Sequence, residues 1–127
     1  MDIKKLITDQ FEEMAAFRRD LHEHAEPSGN EVRTAARISE ELEKSGIEHT
    51  VTPYHAVIAT IHGGKGQGKT VALRGDIDAL AMPEETGLPF ACKTGTAMHA
   101  CGHDGHAAQL LAAARALHQL KDSLSGT

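Results

Sequence analysis

An α/β fold with a mixed sheet is the class this sequence predicts, on three observations. The first 45 residues and the stretch from about residue 104 onward carry apolar side chains at steps of three and four, the period of a helix with one buried face. Between them lie short segments rich in β-branched residues and bounded by Gly or Pro, the pattern of strands. The chain has 127 residues, enough for one hydrophobic core and too few for two. Helix, helix, three strands and helix is an α/β order.

Each element has its own warrant. Ile3, Ile7, Phe11, Met14, Phe17 and Leu21 form one stripe, which predicts a helix over 3–24 closed by Pro27. Ser28 followed by Glu31 has the spacing of a capping box, so a second helix is expected over 29–45, with Val32, Ala35, Ile38 and Leu42 inward. Gly46 stands where a left-handed cap would end it. The segments IEHTVT (47–52), AVIATIH (56–62) and TVALRGDI (70–77) read as strands. The second and third flank a Gly-rich connection and are expected to form an antiparallel pair. MPEETGLPF (82–90) is punctuated by Pro and Gly and reads as a loop. From about Asp104 a last helix presents Ala107, Leu110, Leu111, Ala114, Leu117 and Leu120 on one face. No internal repeat is present.

Composition narrows the function classes. Apolar residues are 40% and charged residues 24%, ordinary for a globular protein, while aromatics are only 3%, so Leu, Ile, Val and Ala must build the core. A net charge of −5 gives no electrostatic reason to expect nucleic acid or an anionic membrane as partner. The N-terminal stretch MDIKKLITDQFEE lacks the apolar run of a signal peptide, and no segment is long and apolar enough to span a bilayer. Two cysteines nine residues apart read as free thiols or a ligand, and the cytoplasm is the expected location.

Two stretches compete to define a site. Gly63 to Thr70, GGKGQGKT, matches the phosphate-loop pattern G-x-x-x-x-G-K-[ST]. That motif needs a helix directly after it, whose N-terminal dipole faces the phosphate. Here VALRGDID follows, with no helical period, so a flexible hairpin loop is the better reading and a nucleotide site is rejected. HACGHDGH (99–106) packs three of nine histidines and one of two cysteines into eight residues. A thiolate and a neutral imidazole both ligate divalent ions such as zinc, and Cys101 and His103 are two residues apart at a loop-to-helix junction. Histidines decorating a solvated loop would explain one His but not this density. Asp76 and Asp78 lie two apart at the end of the third strand and are the nearest acids that could support the site. For Asp78, capping the next turn is preferred; Glu84 and Glu85 are expected in solvent, and Cys92 as a small buried residue.

FRRDLHEHAEPSGNE (17–31), VALRGDIDALAMPEETGLPF (71–90) and MHACGHDGHAAQLLAAA (98–114), in this order, resemble the metal-dependent amidohydrolases of the aminoacylase/carboxypeptidase superfamily, in the branch of hippurate hydrolase, N-acyl-amino-acid amidohydrolase and auxin-conjugate hydrolase. The resemblance spans nearly the whole chain. It implies the N-terminal part of a zinc-peptidase-like three-layer catalytic domain, a mixed β-sheet flanked by helices, over residues 1–127, without the lid domain through which such proteins dimerise. It implies hydrolysis of the amide bond of a small N-acyl amino acid with two divalent metal ions, zinc or manganese. Cys101 and His103 match metal ligands, Asp76 matches the active-site aspartate behind the metals, and His106 falls at a position that is not usually a ligand. The general-base glutamate and later histidines of the family have no counterpart here, so the piece alone is expected to be inactive. The alternative is a non-catalytic metal-binding or accessory domain from a truncated gene. The sequence departs from the family at Ala25, Gly75 and Ala81, where Pro, Ala and Leu are usual.

Overall fold

The computed structural model describes residues 2–127. Among the described residues there are four α-helices, α1 (Ile3–Thr8), α2 (Phe11–Glu23), α3 (Val32–Lys44) and α4 (His103–Leu120), with strands β1 (His49–Val51) and β2 (Val57–Ala59) between α3 and α4. A short 3-10 turn, Lys121–Ser123, follows α4.

The single helix expected over 3–24 is two. The chain breaks at Asp9–Gln10, and Gln10 becomes the cap of α2. The break has a physical origin in burial: Ile3, Ile7 and Phe11 stay exposed, so only Met14, Phe17 and Leu21 of the predicted stripe are held against the core. The second helix also starts later than expected, and the Ser28/Glu31 box does not form. Glu26 does the capping instead: its carboxylate accepts the Arg33 N–H at 3.0 Å and the Thr34 N–H at 2.6 Å. A carboxylate there satisfies two otherwise unpaired amides and meets the positive end of the helix dipole. The C-terminus ends as predicted. Gly46 has φ +67°, and the Ile47 and Gly46 amides donate to the Leu42 and Glu43 carbonyls, the two bonds of a Schellman motif.

The strand pairing differs from expectation. β1 pairs antiparallel with β2, in register His49↔Ala59, Thr50↔Ile58 and Val51↔Val57, so the first and second segments form the hairpin rather than the second and third. The turn chemistry decides this. The Thr52 hydroxyl accepts from the Tyr54 and Ala56 amides, and His55 takes up φ +66°, which closes 52–56 tightly. The third segment, 70–77, pairs with no strand among the described residues. Two single bridges follow it: Pro27 with Ala79 in parallel sense, and Leu80 with Met98 antiparallel.

The Gly-rich connection is engaged by the C-terminal tail. The amides of Gly63, Gly64 and Lys65 donate to the carbonyls of Gly126, Lys121 and Leu124, and Gly126 donates back to Gly66. Gly126 has φ +84°, and a Cβ there would stand 2.2 Å from the Lys69 carbonyl, so no side chain fits. No helix follows the loop.

The core lies between α2, α3 and α4, built from Met14, Phe17, Leu21, Leu42, Ile47, Ala107, Ala108, Leu111 and Ala112. A smaller cluster of Ala25, Ala79, Cys92 and Ala97 lies apart from it. Ion pairs bind the helices together. Asp20 on α2 accepts from Arg33 (2.8 Å) and Arg37 (3.1 Å) on α3, and Glu41 on α3 takes Arg115 of α4 at 2.7 Å.

Two outcomes are expected. Leu21 is fully buried, so Leu21→Ala should lower unfolding free energy by about 3 kcal/mol in urea denaturation. Burial works against ionisation of Asp20 and Glu41, yet their hydrogen bonds to Arg33 and Arg37, and to Lys44 and Arg37, hold both carboxyls below the usual range. A folded-state pKa below the unfolded one contributes stability that is present above pH of about 5 and lost as pH falls through about 4 and below. The urea midpoint should therefore drop between those values. A midpoint constant across this window would show that the pairs contribute nothing.

Candidate metal centre

The site is organised by the first turn of α4. Gly102, at φ +74°, turns the chain from the 97–101 loop into the helix, and the amides of Gly105 and His106 donate back to its carbonyl. His103 opens α4 and His106 lies three residues on, so both project from one side. Their rings stack with centroids 5.2 Å apart. Opposite them runs the unpaired segment that carries Asp76 and Asp78. It lies close to α4 at Gly75, where a Cβ would come 3.3 Å from the His106 carbonyl and 3.4 Å from Leu110. The departure from the family's usual alanine thus falls where the segment touches the helix.

Asp76, His103 and His106 each offer one donor atom within 4.8 Å of the others. The His103 Nδ1–H donates to Asp78 Oδ1 at 2.8 Å and to the Asp78 carbonyl at 3.0 Å. Both partners are acceptors, so the proton sits on Nδ1 and the Nε2 lone pair is free. That lone pair lies 3.9 Å from Asp76 Oδ2, while Asp76 Oδ1 pairs with Arg74 at 2.7 Å. A histidine oriented from behind by a carboxylate, with a second carboxylate and a second histidine alongside, fits a divalent cation. Asp78 therefore holds a histidine rather than capping a turn, and it, not Asp76, makes the contact behind His103. His106, expected to be peripheral, is within the group. Cys101 is exposed and outside it, and Cys92 is buried, as read from the sequence.

Behind the histidines lies a charged array that sequence reasoning missed. Asp104 is fully buried; its Oδ2 accepts from His22 Nδ1 at 2.9 Å and from Arg18 Nε at 3.1 Å, both on α2. His22 Nε2 lies 3.0 Å from Glu84, whose side chain is wholly enclosed and also accepts the Cys92 amide. Glu84 is thus not solvated, contrary to expectation, because the 82–90 loop folds back over His22 and sets Phe90 edge-on to it. Burial disfavours charge on Asp104 and on Glu84. The His22 bond together with the charges of His99 and Arg18 holds the Asp104 carboxyl below the usual range, and the Thr86, Cys92 and His22 bonds do the same for Glu84. His99 is buried beside His22, and burial pushes its pKa down. One signal for Asp104 was available: it precedes Ala107 by three residues, on the buried stripe of α4.

An α/β scaffold thus presents a candidate divalent-metal centre at a helix N-terminus. The model of Peptidase family M20/M25/M40 matches residues 72–127, which contain every site residue above except Arg18 and His22. N-acetylcysteine deacetylase of Bacillus subtilis is 47% identical over 113 residues, covering 87% of this chain and 30% of its own. N-acyl-L-amino acid amidohydrolase of Geobacillus stearothermophilus is 39% identical over 125 residues, covering 98% and 34%. The crystal structure of a dinuclear metal-binding peptidase of the M20 family from Bacillus subtilis shares the fold, with a TM-score of 0.85 at 43% identity over 97% of this chain and 34% of that one. The chain is similar to the M20/M25/M40 peptidases over this stretch and spans about a third of the length of the curated relatives it matches.

Removing the buried carboxylate tests the array. Asp104→Ala leaves Arg18 and His22 without their anionic partner and should cost about 3 kcal/mol in urea denaturation. A loss below about 1 kcal/mol, the worth of an exposed pair, would show that the array is not under strain from burial.

Proposed function

We propose that the chain forms the first part of the catalytic domain of a metal-dependent amidohydrolase acting on the amide bond of small N-acyl amino acids, with zinc or manganese as its metal and two ions in the complete site. The observation that carries this is His103, fixed by Asp78 with its Nε2 free beside Asp76 and His106. The relatives' names, a deacetylase of N-acetylcysteine and an N-acyl-L-amino acid amidohydrolase, support the substrate class. A bound divalent ion supplies polarisation of the scissile carbonyl and a lowered water pKa.

The residues of this chain have separable tasks in that reading. His103 presents Nε2 as a ligand, and Asp78 keeps its ring and tautomer fixed. Cys101, on the exposed turn just before α4, offers a thiolate as the resemblance implies. Asp76 and His106 offer further donors. Arg74 neutralises part of the Asp76 charge and orients its carboxylate. No residue of the chain is assigned as general base, so we expect no turnover by these 127 residues alone.

Cobalt titration of the purified chain tests the ligand set. We expect saturable binding that weakens at least about tenfold in His103→Ala and in Asp78→Ala, as loss of an orienting partner does elsewhere. In Cys101→Ala, the thiolate-to-cobalt charge-transfer band should vanish. Unchanged affinity in His103→Ala would remove the site from the reading, and turnover of an N-acetyl amino acid by the wild-type chain would refute the missing base.

A further inference from the structure

We propose that His22 is a positioning residue of the metal centre, a charged imidazole shared by two enclosed carboxylates that sets where the first turn of α4 presents its histidines. The inference rests on the metal centre proposed above. His22 Nδ1 lies 2.9 Å from Asp104 Oδ2, and Nε2 lies 3.0 Å from Glu84 Oε1. Burial opposes charge on both carboxyls, yet their hydrogen bonds hold both below the usual range, so both are anionic. An ionised carboxylate only accepts, so each nitrogen of His22 must donate and the ring carries both hydrogens. With Arg18 on the other side of Asp104, the four side chains balance as two anions against two cations.

Among the described residues, no other cation meets Glu84. Arg19 lies over the Phe90 ring and Lys93 pairs with Glu23. Burial pushes His99 toward its neutral form, and neither of its nitrogens is bonded. A neutral side chain at position 22 would therefore leave one negative charge uncompensated in a low-dielectric interior. The ring is also fixed from its sides: Phe90 meets it edge-on at 5.3 Å, and the His99 ring lies 6.0 Å away. Moving His22 would carry the Asp104 carboxylate with it. Asp104 directly follows His103, so a shift of that carboxylate turns the same helical turn that aims His103 and His106 at Asp76. Through Glu84, which also accepts the Cys92 amide at 3.0 Å, the same imidazole ties the 82–90 loop to that turn. A purely structural pair would add stability and leave the metal site untouched. A positioning residue changes how tightly, and in what ligand field, the ion is held.

Cobalt titration followed by visible absorption tests this on the whole 127-residue chain, with circular dichroism on each variant as a check of folding. His22→Gln leaves the array one positive charge short, and Glu84→Gln leaves it one over. Each should weaken cobalt binding at least about tenfold and shift the d–d bands, as loss of an outer partner does elsewhere. In the double variant His22→Gln/Glu84→Gln, the amide at 22 can donate to Asp104 and its carbonyl accept from the amide at 84, which restores both the charge balance and the bonds. It should bind within about threefold of the wild type, because neighbours in one network are not additive. Single variants that bind and absorb as the wild type does would overturn the proposal, whatever stability they lose. So would a folded double variant that binds no better than either single one. Should a single variant not fold, the double variant decides by whether its affinity is near that of the wild type. Nitrogen-15 spectra of the metal-free wild-type chain should show a hydrogen on each ring nitrogen of His22 at neutral pH, and a neutral ring there would equally overturn the proposal. A wild-type chain that binds no cobalt refutes the metal centre itself, whereas cobalt binding that ignores both substitutions refutes only the role of His22.

Discussion

A single carboxylate without access to solvent fixes the relation between the helices and the site. Asp104 sits in the first turn of α4, and its charge in a low-dielectric interior would be prohibitive without partners. Arg18 and His22 meet it from α2, and His22 in turn reaches Glu84 in the 82–90 loop. Segments more than 60 residues apart in sequence are thereby held at one point. His103 immediately precedes this residue and His106 follows two later, so the rings that face Asp76 ride on the turn that Asp104 anchors. The alanines at 107, 108 and 112 let α4 share a core with Phe17 and Leu21 of α2, which keeps the buried array within hydrogen-bonding distance. Metal-site geometry is thus a consequence of how two helices pack.

Helix existence was legible in the sequence because it depends on a local period that burial reinforces. Boundaries were less so. The break at Asp9–Gln10 follows from which apolar residues find partners, and the start of α3 from Glu26 reaching its amides ahead of Ser28; both are matters of tertiary placement. The three extended segments were legible, but their pairing was not. Thr52 and His55 close the first turn tightly, and the longer Gly-rich connection is held by a tail that the pattern alone left unassigned.

The candidate site shows the same division. Cys101 and His103 stood out by residue density, and the family resemblance gave roles to them and to Asp76. Asp78 was noted as a nearby acid but assigned to a turn, and His22, Glu84 and Asp104 did not stand out, because each acts as an enclosed side chain. Enclosure of Glu84 comes from a loop folding over a histidine 62 positions earlier. No window of sequence contains both partners.

The Gly-rich loop shows why a matching motif need not carry its function. A phosphate loop works because glycines free consecutive amides to converge on an anion. In this chain the amides of Gly63, Gly64 and Lys65 converge on carbonyls of the chain's own tail. The backbone freedom is used, but the acceptor is protein. That arrangement has a consequence for the site: the tail satisfies the segment at Lys69 and Val71 and leaves it bare from Ala72 to Asp78. Asp76 and Asp78 are therefore carried on backbone with no ladder to hold it, and their positions rest on Gly75 lying against α4 and on the Asp78–His103 bond. Amides without partners open more readily than those in a ladder. The order of the two carboxylates beside the histidines therefore depends on how firmly this bare run of backbone is held against α4.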